Sequence, residues 1–183
     1  FAQTIGPRQL GYDSDYDRLG LKGSFNTIGP SFASASASPL SHYKFYAGEG
    51  GMRVPLIMAG PGIPKDKRTD ALCYLRDLYP TICDLADIPI PKSVESKSLK
   101  PVITGKQDEI YTEIYGYFRD KQRMVRNKRF KLIHYPHLDR YQLFDLSEDP
   151  HELSDLSEDS AHKTTLARLR GKLKDWFRDR EKR

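Results

Sequence analysis

The sequence predicts an α/β segment followed by a small α+β unit, in which about four antiparallel strands pack against a C-terminal helix. The first part of this prediction rests on one short apolar run, residues 53–59, which is bounded by Gly and Pro as a buried parallel strand would be. The second part rests on a change after residue 109, where apolar residues begin to alternate with polar ones. We therefore expect residues 1–104 to be the last portion of a larger α/β domain and residues 105–183 to be a separate α+β subdomain.

Composition excludes several classes of partner. The chain has 183 residues, enough for one domain or for a large piece of one. Lys and Arg number 30 against 25 Asp and Glu, so the net charge of +5 is modest. Because no basic face with interleaved aromatics is visible, we expect no nucleic-acid partner. The longest apolar run is far shorter than the ~20 residues that a membrane span needs, so no span is expected.

Residues 1–38 are predicted to be loop. They are rich in Gly and Pro, include the low-complexity run FASASAS, and follow neither a helical nor a strand period. The chain starts at Phe1 without Met or a targeting signal. We therefore expect it to be a fragment, with the upstream part of the protein absent.

Residues 70–87 are predicted to contain a helix. Their apolar side chains recur at spacings of three and four: Leu72, Leu75, Leu78, Ile82 and Leu85. Pro80 cannot lie in a helix interior, so the helix should start with Asp77 as its N-cap, which puts Pro80 in the first turn. The Pro-, Ser- and Lys-rich residues 88–107 then connect the two units.

The α+β unit should contain four strands and one helix. Strands are expected at residues 110–117, 123–126, 130–135 and 141–146, with Asn127 and Lys128 forming a hairpin turn. The helix at the C-terminus should present one apolar side made of Leu166, Leu169, Leu173, Trp176 and Phe177. That side would cover one face of the sheet.

Residues 39–63 hold the main candidate for a binding site. They join a Ser/Ala run, a lysine flanked by aromatics, a Gly-Glu-Gly-Gly turn and the apolar run at 53–59. A lysine at the mouth of a buried strand is suited to binding an anion. On residue pattern alone, however, a single lysine is more often a solvated surface side chain.

Four blocks of sequence in this order resemble the C-terminal part of the sulfatases: KFYAGEGGMRVPLIMAGPGI, DLYPTICDLADI, MVRNKRFKLIHYP and YQLFDLSEDPHELSDL. The Ser/Ala-rich stretch before the lysine is similar to the arylsulfatase branch. Sulfatases are sulfuric ester hydrolases of the alkaline phosphatase superfamily. The resemblance implies an incomplete alkaline-phosphatase-like sulfatase fold and an intact enzyme that hydrolyses sulfate esters of small molecules or carbohydrates.

The resemblance also implies roles for particular residues. The family lysine that contacts the sulfate group corresponds to Lys44 in this sequence. His42 could reach the same cleft if the segment is extended, since alternate side chains then share a face. The other interpretation of His42 is an exposed loop histidine.

Two parts of the family site are missing from the sequence. The nucleophile, a formylglycine made from Cys or Ser in a Cys/Ser-x-Pro-x-Arg motif, has no counterpart here. The family's calcium, or sometimes magnesium, is held by paired acidic residues, and no Asp-Asp or Asp-Asn pair occurs. We therefore expect no metal ligands in this chain, and we expect the isolated chain to be inactive without the N-terminal part of the same enzyme. The resemblance favours a periplasmic or secreted location.

Two alternative functions remain open on the sequence. A phosphodiester or phosphonate monoester hydrolase would share the same scaffold. A non-catalytic binding or assembly module is suggested by the 11 tyrosines and the exposed-looking IYGYF segment.

Overall fold

The computed structural model describes residues 9–13, 15–25 and 29–181, with side chains as far as residue 179. Its helices are α1 (Gly29–Ala37), α2 (Glu49–Met52), α3 (Leu78–Leu85), α4 (Lys100–Ile103) and α5 (Lys163–Glu181). Its strands are β1 (Ile114–Phe118), β2 (Gln122–Arg126), β3 (Phe130–Tyr135) and β4 (Arg140–Asp145). None of the helices in these ranges is long and apolar enough to cross a membrane.

The four strands form one antiparallel sheet in the order β1-β2-β3-β4, which confirms the predicted α+β unit. The turn between β2 and β3 is the expected hairpin. There the Asn127 side-chain oxygen accepts hydrogen bonds from the backbone N–H of Arg129 at 2.9 Å and of Phe130 at 2.6 Å. An asparagine side chain that satisfies turn N–H groups in this way is typical of such turns.

The two faces of the sheet are covered by different parts of the chain. One face packs on α5 through a buried cluster of Val125, Leu132, Leu143, Leu169 and Leu173. The opposite face buries Met124, Ile133 and Phe144 against Ala47. Alternating side chains of β2, β3 and β4 therefore supply both cores. The helix was predicted, but the covering of the second face by the Gly-rich segment around Ala47 was not.

The predicted strand at residues 53–59 does not form. No ladder pairs this segment with any other within residues 9–13, 15–25 and 29–181, and Val54 and Ile57 are 71% and 91% exposed. A strand exists only through its hydrogen-bonded neighbours, so an apolar run without a partner strand remains irregular backbone.

The predicted loop at residues 1–38 is also partly wrong. All but the last residue of the run FASASAS lies within helix α1, which begins at Gly29 with Pro30 in its first turn. Alanine has the highest helix propensity, and proline is tolerated in a first turn because its missing N–H has no intrahelical acceptor there. Low sequence complexity was therefore a poor guide to conformation.

Helix α3 begins where predicted, with Asp77 at the N-cap and Pro80 in the first turn. The buried Asp77 carboxylate accepts hydrogen bonds from Tyr74 N at 2.7 Å and Tyr111 Oη at 2.9 Å. The expected buried stripe is wrong, because Leu75 and Ile82 are 77% and 61% exposed. The buried residues of α3 are instead Pro80, Thr81 and Cys83.

Candidate functional site

Lys44 lies in a tight turn of residues 43–46. Tyr46 N donates a hydrogen bond to Tyr43 O at 3.1 Å, and Phe45 has a positive φ of 81°, which is strained for a non-glycine residue. The lysine side chain is exposed, with Nζ 5.1 Å from the centre of the Phe45 ring. No carboxylate of the described residues forms an ion pair with it. Lys44 is therefore a cation available to an external anion, and its sulfate-binding role stays a prediction.

His42 is also exposed, but the segment that carries it is not extended. His42 has a φ of 64°, and its ring stacks on Tyr46 with centroids 4.9 Å apart. The turn at 43–46 breaks the alternation on which a face shared by His42 and Lys44 depended. The extended segment that this alternation required is absent here, and the binding role of His42 stays a prediction.

Gly50 and Gly51 allow the lysine turn to fold back closely on helix α2. A Cβ on Gly50 would lie 2.2 Å from His42 O, and one on Gly51 would lie 2.2 Å from Tyr46 O. Contacts this short are impossible for any side chain, so the two positions require glycine. Gly50 N also donates a hydrogen bond to Ser41 O at 2.8 Å, which closes the loop of residues 41–50.

A buried cluster of four charged side chains joins this loop to the sheet. Glu49 Oε1 lies 3.0 Å from Lys131 Nζ, and Glu49 Oε2 is paired with Arg126 Nη1. Lys131 Nζ also lies 2.9 Å from Glu152 Oε1. Glu152 Oε2 accepts a hydrogen bond from Glu49 N at 2.6 Å. We call this group, Glu49, Arg126, Lys131 and Glu152, the buried charge cluster.

The charges of this cluster depend on one another because they are buried. Lys131 is fully buried and Glu49 is 2% exposed, so neither charge could be solvated without its partners. Burial alone would raise the pKa of the Glu49 carboxyl, but the Lys131 ammonium and the Arg126 guanidinium outweigh that effect and hold the pKa below its usual value. The two acids and two bases neutralise one another.

Other hydrogen bonds attach the same loop to the sheet and to its C-terminal neighbour. Ala47 N donates to the buried Gln122 Oε1 at 2.7 Å, and Ser41 Oγ donates to His151 O at 2.5 Å. Contacts at three points therefore hold the turn that presents Lys44. In the sequence Glu49 is part of the Gly-Glu-Gly-Gly turn, and nothing in that turn indicates its buried partners. The missed signal was Lys131, a charge in β3 that shares a face with the buried Ile133.

Among the residues that the structure describes, no group of three or more His, Cys, Asp or Glu side chains could hold a metal ion. The two histidines of the small sheet have other partners. His137 Nε2 lies 2.8 Å from Asp120 Oδ2, and the His134 ring stacks on Tyr141 at 4.1 Å. Burial and the nearby Arg123 lower the pKa of His134. The calcium or magnesium of the intact enzyme, whose ligands were expected outside this chain, stays a prediction.

A cleft of about 540 Å³ lies elsewhere, between the start of β4 and α5. Leu138, Arg140, Tyr141, Asp155 and Arg170 are among its lining residues. Neither Lys44 nor any member of the buried charge cluster lines it. We therefore place the candidate site at Lys44, where exposed charge and strained backbone coincide.

The family model and the sequence relatives that match this chain are sulfatases. The sequence pattern of the family described as "N-sulphoglucosamine sulphohydrolase, C-terminal" matches residues 42–179, a range that includes His42, Lys44 and the buried charge cluster. The Delta 4,5-hexuronate-2-O-sulfatase of Bacteroides thetaiotaomicron is 35% identical over an alignment of 148 residues, which covers 74% of this chain and 30% of that protein. Arylsulfatase K of Gallus gallus is 34% identical over 129 residues, 63% of this chain and 24% of that protein.

Solved structures agree with the sequence relatives. The 2-O GAG sulfatase BT1596 matches with a TM-score of 0.56 and 30% identity, over 66% of this chain and 28% of that one. This neighbour and a putative sulfatase from Bacteroides thetaiotaomicron have the alkaline-phosphatase-like fold, and each covers only part of this chain. The chain spans less than a third of the length of these relatives. The resemblance inferred from the four sequence blocks is confirmed.

Proposed function

The chain belongs to the N-sulphoglucosamine sulphohydrolase, C-terminal, family of sulfatases, and we propose that it is the C-terminal portion of an enzyme that hydrolyses sulfate esters. The observation that carries this proposal is Lys44. It lies inside the matched range, on a turn held by the buried charge cluster, and it has an exposed ammonium.

Lys44 would bind the sulfate group of the substrate. An ammonium offers three N–H donors, which suits a tetrahedral group with several oxygens. As the sulfur–oxygen bond to the leaving group breaks, negative charge is redistributed over the sulfuryl oxygens, and a fixed cation stabilises that charge. A lysine already paired with a carboxylate could not do this as well, which is why the absence of such a partner among the described residues supports the assignment.

We assign the remaining parts of the reaction to the rest of the enzyme. No Cys/Ser-x-Pro-x-Arg motif occurs in the sequence, and the described residues gather no metal-ligating group. The formylglycine nucleophile and the calcium or magnesium ligands would therefore be supplied by the part that precedes this chain in its longer relatives. The isolated 183 residues are expected to be inactive.

The substrate proposed is a sulfated carbohydrate. Support comes from relatives named as a hexuronate 2-O-sulfatase and a 2-O GAG sulfatase, each at least 30% identical to this chain. A periplasmic or secreted location is proposed on the same family resemblance, and no nucleic-acid partner is expected.

The test is Lys44→Ala in the full-length protein, assayed on an aryl sulfate. Loss of one positioned donor to a developing oxyanion lowers kcat by roughly 10²–10³ in comparable sites. Lys128→Ala is the matched control, since Lys128 is a partly exposed lysine of the β2–β3 turn with only distant acidic partners at 3.8 and 3.9 Å. Its kcat should stay within about twofold of the wild type.

Unchanged turnover in Lys44→Ala would remove the basis for the assignment. The same preparations should be assayed on a phosphodiester and a phosphonate monoester. If the wild type cleaves these faster than any sulfate ester, the alternative hydrolase function replaces the sulfatase.

A further inference from the structure

Two aromatic rings connect Lys44 to a second exposed cation. The Phe45 ring beside Lys44 lies 5.2 Å from the Phe118 ring, centroid to centroid, with the planes tilted by 43°. The Arg119 guanidinium carbon lies 5.5 Å from the centre of the Phe118 ring. The surface therefore presents a lysine, two rings and an arginine in one continuous row, which we call the aromatic row: Lys44, Phe45, Phe118 and Arg119.

The two halves of the aromatic row come from segments distant in sequence, yet they are fixed to each other. Phe118 ends β1 and pairs with Gln122 in the β1–β2 hairpin, and Gln122 accepts the buried hydrogen bond from Ala47 N at 2.7 Å. On its other side the hairpin turn is held by the pair between Asp120 and His137 at 2.8 Å. The segments that carry the two cations are therefore both attached to the β1–β2 hairpin.

The aromatic row is available to a ligand. Phe45 is 57% exposed, and the Arg119 side chain is exposed with no carboxylate partner in the part of the chain that the structure describes. Other charged side chains near the sheet are paired with each other, such as Arg129 with Asp145 and His137 with Asp120.

We propose that Phe45, Phe118 and Arg119 form a second binding position beside Lys44, which holds the next sugar unit of an anionic saccharide. The flat C–H face of a pyranose packs against an aromatic ring, and a guanidinium donates paired hydrogen bonds to a sulfate or a carboxylate. The position deepens the proposed function and rests on it. Lys44 takes the sulfate that is cleaved, and Arg119 takes the anionic group of the neighbouring unit.

The test compares two substrates in the full-length enzyme. One is an aryl sulfate, which is too small to reach Arg119, and the other is a sulfated tetrasaccharide. Arg119→Gln should raise KM for the tetrasaccharide by about tenfold and leave kcat unchanged, because it removes a charge-assisted contact made equally in the ground state and the transition state. Both constants for the aryl sulfate should stay the same. Arg119→Lys should recover part of the loss, since it restores the charge without the planar pair of donors.

Arg140→Gln is the matched control, since Arg140 is also exposed but lies at the start of β4, outside the aromatic row. Arg140→Gln should leave KM and kcat unchanged for both the aryl sulfate and the tetrasaccharide. A third substrate, a tetrasaccharide whose adjoining sugar carries a carboxylate and no sulfate, identifies the anion that Arg119 recognises. The proposal is supported if Arg119→Gln raises the KM of the sulfated tetrasaccharide, of the carboxylated one, or of both. A neutral adjoining sugar should show no such effect.

Three results would overturn the inference while leaving the sulfatase function intact. The first is an unchanged KM for the tetrasaccharide in Arg119→Gln, as expected if the rest of the enzyme covers the aromatic row. The second is an equal rise in KM for the aryl sulfate. The third is an equal rise in KM for a tetrasaccharide with a neutral adjoining sugar. If the wild type cleaves neither sulfate substrate, the proposed function itself fails, and that outcome is read from the wild type alone.

Discussion

The buried charge cluster predicts that Lys131→Met will loosen the loop that presents Lys44. Methionine is similar to lysine in volume, so the substitution removes the ammonium and leaves little cavity. It leaves the buried Glu49 carboxylate with Arg126 as its cationic partner, and it removes the cation that is paired with Glu152. Removing one member of a buried ion pair costs about 3–5 kcal/mol, because the partner charge stays buried without compensation.

The measurement is backbone amide exchange in the full-length enzyme at pH 7. A local loss of about 3 kcal/mol corresponds to roughly a hundredfold faster exchange through local opening. We expect that acceleration in β3 and in residues 41–52, which contact each other through Glu49. Lys128→Met, which breaks only exposed ion pairs at 3.8 and 3.9 Å, should change exchange by less than about threefold.

The pH dependence gives a second readout. In the wild type the pKa of Glu49 is held below its usual value, so the stabilisation from this carboxylate is present above the usual carboxyl range and is lost only as the pH falls through the lowered pKa. In Lys131→Met the pKa of the Glu49 carboxyl should rise, because the Lys131 ammonium that helps to lower it is gone while the carboxyl stays buried. The destabilisation should therefore shrink as the pH falls from about 7.5 toward 5.5. Unaltered exchange in residues 41–52 at pH 7 would show that the cluster does not hold the loop.

Three further substitutions test the packing of the Lys44 loop and of helix α5. Gly50→Ala should destabilise the loop by at least about 2 kcal/mol and reduce turnover, because its Cβ would lie 2.2 Å from His42 O; thermal unfolding and kcat check this. Gly171→Ala is its control and should raise the stability by about 0.5–1 kcal/mol, since a Cβ at that helical position meets nothing within 4 Å. Leu173→Ala should lower the stability by about 2–5 kcal/mol and leave kcat for an aryl sulfate unchanged in the folded enzyme, because Leu173 packs the helix face of the sheet, away from Lys44.

The elements predicted correctly from the sequence are those whose pattern is internal to the element. The strands β1 to β4 and helix α5 alternate or repeat their apolar residues with the period of their own backbone. Each strand also pairs only with the strand next to it in sequence. The segment at 53–59 has an equally apolar pattern but no strand beside it in the described residues. The strand prediction failed there because the segment has no partner strand in the described residues, although its apolar pattern is typical of a strand. A partner strand can lie far away in sequence, so a short stretch of residues does not reveal it.

The candidate site divides along the same line. Lys44 was found from a motif that is contiguous in sequence. The buried charge cluster that holds its loop joins residues 82 positions apart for the pair of Lys131 and Glu49, and a spacing of that size has no local signature. A lysine on the buried face of a strand does show that a partner charge must exist, because an unpaired buried ammonium is too costly. It does not show which acid supplies the charge.

The arrangement of the sheet gives a physical reason for a small α+β unit to follow the lysine segment. One face of the sheet is stabilised by α5 through apolar packing, which makes the sheet a rigid body. The other face packs against Ala47, and its Lys131 and Arg126 form ion pairs with Glu49. A strained turn with φ of 81° at Phe45 persists only if its surroundings fix it at several points, and the described contacts provide them. The small sheet therefore acts as the support that keeps the Lys44 ammonium in place, and for this reason perturbing Lys131 should affect a residue that it does not touch.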